Sequence, residues 1–267
     1  MGAAALHAVT ELGSGRTTVV LGHGLGGDQT QWAPVAAVLA RSARVITFDN
    51  AASGRCSPEV FSPERHSSIV GFAEDLAAVC SDLGLRDVMY VGHSIAGMAG
   101  ALASIADPGL FSRLVLIGAS ARYADDPAAG YVGGFTAEAI DAMLEEVRAD
   151  FLRWSAGFAP LVMGNQASPK ASGEFARSLR RYPPEVASTV FTAAFRSDFR
   201  ASMHLLDVPT LLLQSSADPA VPLEAAQWLA DEIPQARLRV LSAHGHFPHV
   251  VAPAEVIRAL TQFGVPA

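Results

Sequence analysis

Six short apolar runs constrain this chain more than any other feature: Thr17–Gly22, Arg44–Phe48, Asp87–Val91, Leu114–Gly118, Thr210–Gln214 and Leu238–Leu241. Each is rich in leucine or β-branched residues and is bounded by glycine, proline or acidic residues. Most are continuous, with no apolar–polar alternation. A strand with one wet face alternates, so a continuous run describes a strand covered on both faces, as in a parallel sheet flanked by helices. Helical patterns separate the runs, for example Ile69–Leu83 and Ile95–Ala106. A last helix over Pro253–Phe263 opens on Pro-Ala-Glu, favourable first-turn residues. This order predicts an α/β fold with a mostly parallel, doubly wound sheet. Ahead of it, Leu6–Leu12 and the turn residues Gly13-Ser14-Gly15 predict an antiparallel hairpin strand.

The alternation stops between about Arg122 and Leu206. Helical patterns fill the interval: Thr136–Arg148, Asp150–Phe158, Gly173–Tyr182 and Pro184–Phe195. They form either an extra helical layer or a lid over the strand ends, where ligands bind in open α/β sheets. The lid is preferred, because in sequence the insertion lies between a candidate nucleophile and its candidate partners. With no internal repeat and no low-complexity linker, the 267 residues are expected to form one domain. Its core would be 1–121 and 207–267, with the insertion at about 122–206.

Half of the residues are hydrophobic and 17% are charged, which excludes a disordered chain. A formal charge of −7, with Lys170 the single lysine and no basic run, argues against nucleic-acid and polybasic membrane binding. The longest apolar stretch, Ile95–Ala106, is too short to span a bilayer. Met1–His7 lacks the pattern of a secretory signal, and Leu6 stands where a myristoylation motif wants Ser or Thr. A cytoplasmic location is therefore expected. Cys56 and Cys80 have no metal-ligand spacing and read as reduced thiols.

The chemistry concentrates in Val91-Gly92-His93-Ser94-Ile95-Ala96-Gly97, where the DVMYV run meets a helical pattern. A serine on a sharp strand-to-helix turn is held in strained geometry with its Oγ above the sheet, and small residues at 92 and 96 admit the turn. The following helix N-terminus directs N–H groups at developing negative charge. The alternative is a serine that merely caps a helix. A serine hydroxyl needs a base, and the base needs an orienting acid. The run TLLLQ leads to Asp218, and LRVL leads to His244, His246 and His249. His246, preceded by Gly245, is the candidate base and Asp218 the candidate acid. A metal site of the three histidines lacks an acidic or cysteine co-ligand, and no metal or cofactor is expected. Asp49 reads as a brace for Asn50–Gly54, while Asp198 and Asp207 lie at the end of the insertion. The first run ends in Leu21-Gly22-His23-Gly24-Leu25-Gly26-Gly27, a loop that lets backbone approach a ligand. Leu25 and Ile95 are therefore the candidate N–H donors of an oxyanion hole. The same loop lacks the third spaced glycine of a dinucleotide site, and no Gly-Lys-Ser/Thr follows it.

These motifs resemble the α/β-hydrolase superfamily, and within it the RsbQ-like and karrikin- and strigolactone-receptor-like subgroup. The resemblance rests on Gly22–Trp32, Gly92–Ile105 and Leu110–Ser120, and in the lid on Arg122–Asp126, Gly133–Phe135, Gly157–Leu161 and Phe195–Arg200. The order serine, acid, histidine is that family's own. The resemblance implies a four-helix lid over a deep apolar pocket lined by Leu25, Phe135, Phe158 and Phe195. Plant members usually carry phenylalanine where this chain has Leu25, which implies a reshaped entrance. The implied activity is hydrolysis of a small hydrophobic ester, lactone or butenolide-like ligand through Ser94, His246 and Asp218. The rival class is a ligand-sensing regulator that hydrolyses slowly and engages a regulatory protein partner.

Overall fold

The computed structural model describes residues 1–164 and 167–266. Among them seven strands form one sheet: β1 (Thr10–Leu12), β2 (Thr18–Gly22), β3 (Arg44–Thr47), β4 (Val88–His93), β5 (Phe111–Ile117), β6 (Thr210–Ala217) and β7 (Ala236–His244). The order across the sheet is β1-β3-β2-β4-β5-β6-β7, with β1 antiparallel and the rest parallel. The helices are α1 (Ala3–Leu6), α2 (Ala33–Leu39), α3 (Ile69–Asp82), α4 (Ile95–Ala106), α5 (Ala137–Ala149), α6 (Phe151–Met163), α7 (Pro169–Leu179), α8 (Pro184–Phe195), α9 (Leu223–Glu232), α10 (Pro248–Val251) and α11 (Pro253–Gln262).

Neighbouring residues of each central strand enter different cores, which is why the apolar runs are unbroken. Val19, Leu21, Val91, Val115 and Leu213 pack with Leu39 of α2 and Val256 and Leu260 of α11. On the other face Val20, Tyr90, Leu114 and Leu212 pack with α3, α4, α9 and the insertion. Each fully buried valine or leucine of this kind stabilises the fold by about 1.5–3 kcal/mol. Cys80 is buried and Cys56 half-buried, and burial pushes both thiols up to about 12, so they stay protonated.

The amino-terminal expectation needs correction. Ala3–Leu6 is a helix, and β1 pairs with β3, so it forms no hairpin with the strand that follows it. The Gly13–Gly15 segment lies against the backbone of Ala40–Ala43. It thus crosses the base of β3 to reach β2 two places away, leaving β1 at the sheet edge.

Helices α5–α8 lie between β5 and β6 and form the lid. Two bounds differ from the sequence pattern. The pattern ends a helix at Phe158, whereas α6 continues through Pro160 to Met163. Pro160 cannot donate to the carbonyl of Ala156, and both residues are on the exposed face of the helix, open to solvent. The pattern places the third helix at Gly173–Tyr182, but α7 begins at Pro169, where Ser168 Oγ accepts the Ala171 N–H at 3.1 Å. It ends at Leu179, which leaves Tyr182 in the connection to α8.

Between β2 and β4 the chain reverses its direction of travel across the sheet. After β2 it moves outward to β3, and then returns to place β4 on the other side of β2. Loops from the carboxyl ends of β2 and β4 therefore diverge and leave a crevice between them. The Leu25 loop and the Ser94 turn border that crevice.

Candidate active site

Ser94 stands between β4 and α4 with φ 54° and ψ −121°, a left-handed backbone rare for a serine. The turn is so tight that a Cβ on Gly92 would lie 2.6 Å from the carbonyl carbon and oxygen of Ala96. Glycine is therefore required at 92. Ile95 opens α4, so its N–H belongs to the first, unpaired turn of the helix.

His246 and Asp218 are brought together. His246 Nδ1 donates to Asp218 Oδ2 at 2.8 Å, and both side chains are buried. The other carboxylate oxygen, Oδ1, accepts the N–H groups of Ala220 (2.8 Å) and Val221 (3.1 Å), and Gln214 Nε2 donates to Oδ2 at 3.2 Å. Four donors thus fix the acid, and the acid fixes the imidazole. The backbone of His246 is anchored twice. Its N–H donates to Val162 O of α6 at 2.7 Å, and its carbonyl accepts His93 Nε2–H at 2.7 Å.

Of the other histidines in that loop, His249 is buried in the core and stacks on Trp32 at 4.3 Å, while His244 ends β7 and is half-buried. Burial pushes His249 down to about 3 and His93 well below its usual range, so both are neutral. Among the described residues no group of three or more His, Cys, Asp or Glu is arranged to hold a metal ion.

Asp49 stands apart from this site and braces the loop after β3. Its carboxylate accepts the N–H of Gln29 at 2.8 Å and of Arg55 at 2.7 Å. His23, in the glycine-rich loop, is also internal bracing: Nε2 accepts the Asn50 N–H at 3.0 Å while Nδ1 lies 2.8 Å from Gly24 O. Burial lowers its pKa and keeps it neutral.

Leu25, Ser94, Ile95, Phe158, Phe195 and His246 line one chamber, together with His93, Tyr123, Val162, Ala194, Ala220 and Phe247. The chamber holds only about 30 Å³, so the deep pocket implied by the motifs is not a single open space above the serine. A larger cavity of about 670 Å³ lies outside it, bordered by α5, α6 and the loop after β6. The two share Phe158, Val162, Phe195 and Ala220 as a common wall. Phe135 lines the outer cavity and not the chamber, set edge-on to Phe195 at 5.7 Å. Phe158 stacks on Trp154 at 4.4 Å.

Tyr123 is the polar group that sequence reasoning missed. Its hydroxyl lies 3.4 Å from Ser94 Oγ, and burial pushes the phenol up to about 12, so it remains neutral. It follows β5 in an irregular segment, where no periodicity announces which way a side chain points. His93 also escapes sequence reasoning, although it adjoins the serine, because its role depends on a contact with residue 246.

A doubly wound sheet with a strained serine after one strand, and a histidine–aspartate pair after the last two, defines a class of protein by itself. A family model described as alpha/beta hydrolase fold matches residues 17–253, and the chain belongs to that family. Among curated proteins it is 38% identical over 255 residues to karrikin insensitive 2 receptor CA of Petunia hybrida, covering 95% of this chain and 94% of that protein. It is 34% identical over 253 residues to strigolactone esterase D14 of Arabidopsis thaliana, covering 94% of each. Among solved structures, a hydrolase from Oleispira antarctica matches with a TM-score of 0.94 at 31% identity, over 98% of this chain and 95% of that one.

Proposed function

We propose that this protein is a serine hydrolase that cleaves a small hydrophobic ester or lactone, with Ser94 as nucleophile, His246 as base and Asp218 as orienting acid. One observation carries the reading. The strained Ser94 and the Asp218-bound His246 border the same narrow chamber, whose other walls are mostly apolar apart from His93 and Tyr123. In the proposed cycle His246 Nε2 takes the Ser94 Oγ proton as the oxygen attacks the carbonyl carbon. Asp218 holds the Nδ1–H tautomer and stabilises the imidazolium. The oxyanion is met by the N–H groups of Leu25 and Ile95, each worth ~3 kcal/mol in sites of this kind. His246 then returns the proton to the departing oxygen, leaving an acyl-enzyme. Water, deprotonated by the same imidazole, releases the acid.

The scissile group enters the chamber, and the outer cavity takes the remaining apolar portion of the substrate. The chamber is narrow, about 30 Å³, and substrate enters by displacing Phe158 or Phe195, which border both cavities. The segment 122–206 acts as the lid of a single domain with core 1–121 and 207–267. The test is a panel of activated esters and lactones against wild type and Ser94→Ala. Turnover is expected to vanish in the variant while its thermal unfolding stays within a few degrees of wild type. Undiminished turnover overturns the assignment.

The name of one relative, a karrikin insensitive 2 receptor at 38% identity, favours a second reading: a ligand sensor whose slow hydrolysis accompanies binding of a regulatory protein. Single-turnover kinetics with ligand-dependent capture of a partner support that reading. Fast multiple turnover supports the first.

A further inference from the structure

The residues that follow Leu25 are held from outside the sheet, by the lid. Gly24–Gly27 form a turn closed by Gly27 N–H to Gly24 O at 3.2 Å, with Gly26 at φ +76° in its third position. That is the arrangement of a type II turn, which requires positive φ at the third residue. A Cβ on Gly26 would lie 2.6 Å from Leu179 Cδ1, so the end of α7 rests directly on the turn. Just beyond α7, Tyr182 is buried and its phenolic oxygen accepts the Gly26 N–H at 3.4 Å. The neighbouring Ser53 hydroxyl donates to Asn50 O at 2.8 Å. At the far end of the loop, Asp28 accepts from Ser178 Oγ and Arg181 Nη1, both at 3.4 Å.

A turn of this length has two orientations of its central peptide, which differ by a flip of the plane between the second and third residues. Glycine at position 26 tolerates either orientation. The contact that distinguishes them is the partner of the Gly26 N–H. We propose that Tyr182 is a positioning residue for the oxyanion hole: by accepting the Gly26 N–H it fixes the central Leu25–Gly26 peptide of the turn, and so pins the Leu25 backbone whose own N–H, on the preceding Gly24–Leu25 peptide, meets the oxyanion. The proposal rests on the reading of Ser94 and Leu25 given above. Burial pushes the Tyr182 phenol up to about 12, so the tie is the same throughout the neutral pH range. It also draws the lid into the catalytic apparatus, since Tyr182 belongs to the α7–α8 connection.

The test is Tyr182→Phe, which removes one oxygen and keeps the ring. Loss of an oxyanion donor itself costs about 10²–10³-fold, so loss of its tether is expected to lower kcat about tenfold on p-nitrophenyl acetate. KM should change less than about twofold, and the pH–rate profile should keep its shape. Phenylboronic acid, whose tetrahedral serine adduct carries a negative oxygen, should bind more weakly by the same factor as kcat. Amide exchange of residues 24–28 should quicken. An unchanged kcat and boronate affinity, or a rise in KM with constant kcat, overturns the proposal. Failure of the hydrolase reading is seen separately, as activity retained in Ser94→Ala; exchange at Gly26 then still decides whether the tether exists.

Discussion

Four hydrogen bonds converge on the Asp218 carboxylate, and only one of them comes from His246. The others fix the acceptor in place before the imidazole arrives, so the proton on Nδ1 is assigned by a rigid partner. Asp218→Asn keeps the size and removes the charge, and it presents an N–H₂ group in competition with Nδ1–H. The expected result is a fall in kcat of about 10⁴-fold, the scale seen when a triad histidine is left in the wrong tautomer. Burst kinetics with an activated ester check it, and a loss below about tenfold would refute the role. Ser94 is legible in the sequence because a strand-to-helix turn of that sharpness admits few residues, and Gly92 and Ala96 announce it. Tyr123, 3.4 Å from the same oxygen, is not legible. Its approach depends on how a loop after β5 folds back over the sheet, and no local spacing encodes that.

The lid leaves and rejoins the sheet through a single joint. Phe199 N–H donates to Ala121 O at 2.9 Å, and Arg122 Nη1 donates to Asp198 Oδ2 at 2.9 Å. Arg200 completes the joint, reaching Asp198 Oδ2 at 2.8 Å and Asp126 Oδ2 at 3.0 Å, and lying over the Tyr131 ring at 4.9 Å. Hydrogen bonds from Arg200 are the leading cause that holds both carboxyls below their usual range. Their contribution is fully present above the ordinary carboxylate range and is lost as pH falls from there through the lowered values of the folded state. Because the Arg122–Asp198 pair is partly exposed, Arg122→Ala is expected to cost under about 1 kcal/mol, with the loss shrinking in high salt. Denaturant unfolding at two ionic strengths measures it, and a salt-independent loss would contradict an ionic joint. The four lid helices are visible in their periodicity. Their ends are less so, because Pro160 is tolerated only through its exposed setting and the cap at Ser168 lies ahead of the apolar pattern.

For the molecule as a whole, one acid-sensitive element is the histidine stack behind the site. His249 lies against Trp32 and His93, and among the described residues neither of its ring nitrogens has a hydrogen-bond partner. Its pKa is about 3 in the fold, against the usual 6.5 once unfolded. Between those values the unfolded chain binds a proton that the native state refuses, so stability rises with pH and is lost as pH drops below about 6.5. One such group contributes up to about 1.4 kcal/mol per pH unit. His249→Phe should flatten the dependence of unfolding free energy on pH between about 6.5 and 5 by up to one proton, leaving the shares due to His93 and His23. An unaltered slope would show that His249 does not titrate on unfolding.

The two cavities set apart what the protein holds and what it consumes. A compound that fills the 670 Å³ space beside α5 and α6 would meet Ser94 only past Phe158 and Phe195, which border both cavities. Ligand discovery by thermal shift would therefore rank molecules by their fit to the lid. Activity screens would rank them by how readily they push the two aromatic rings aside. The two orders need share no leading compound, and a tight binder that is never hydrolysed is the expected product of the first kind of search.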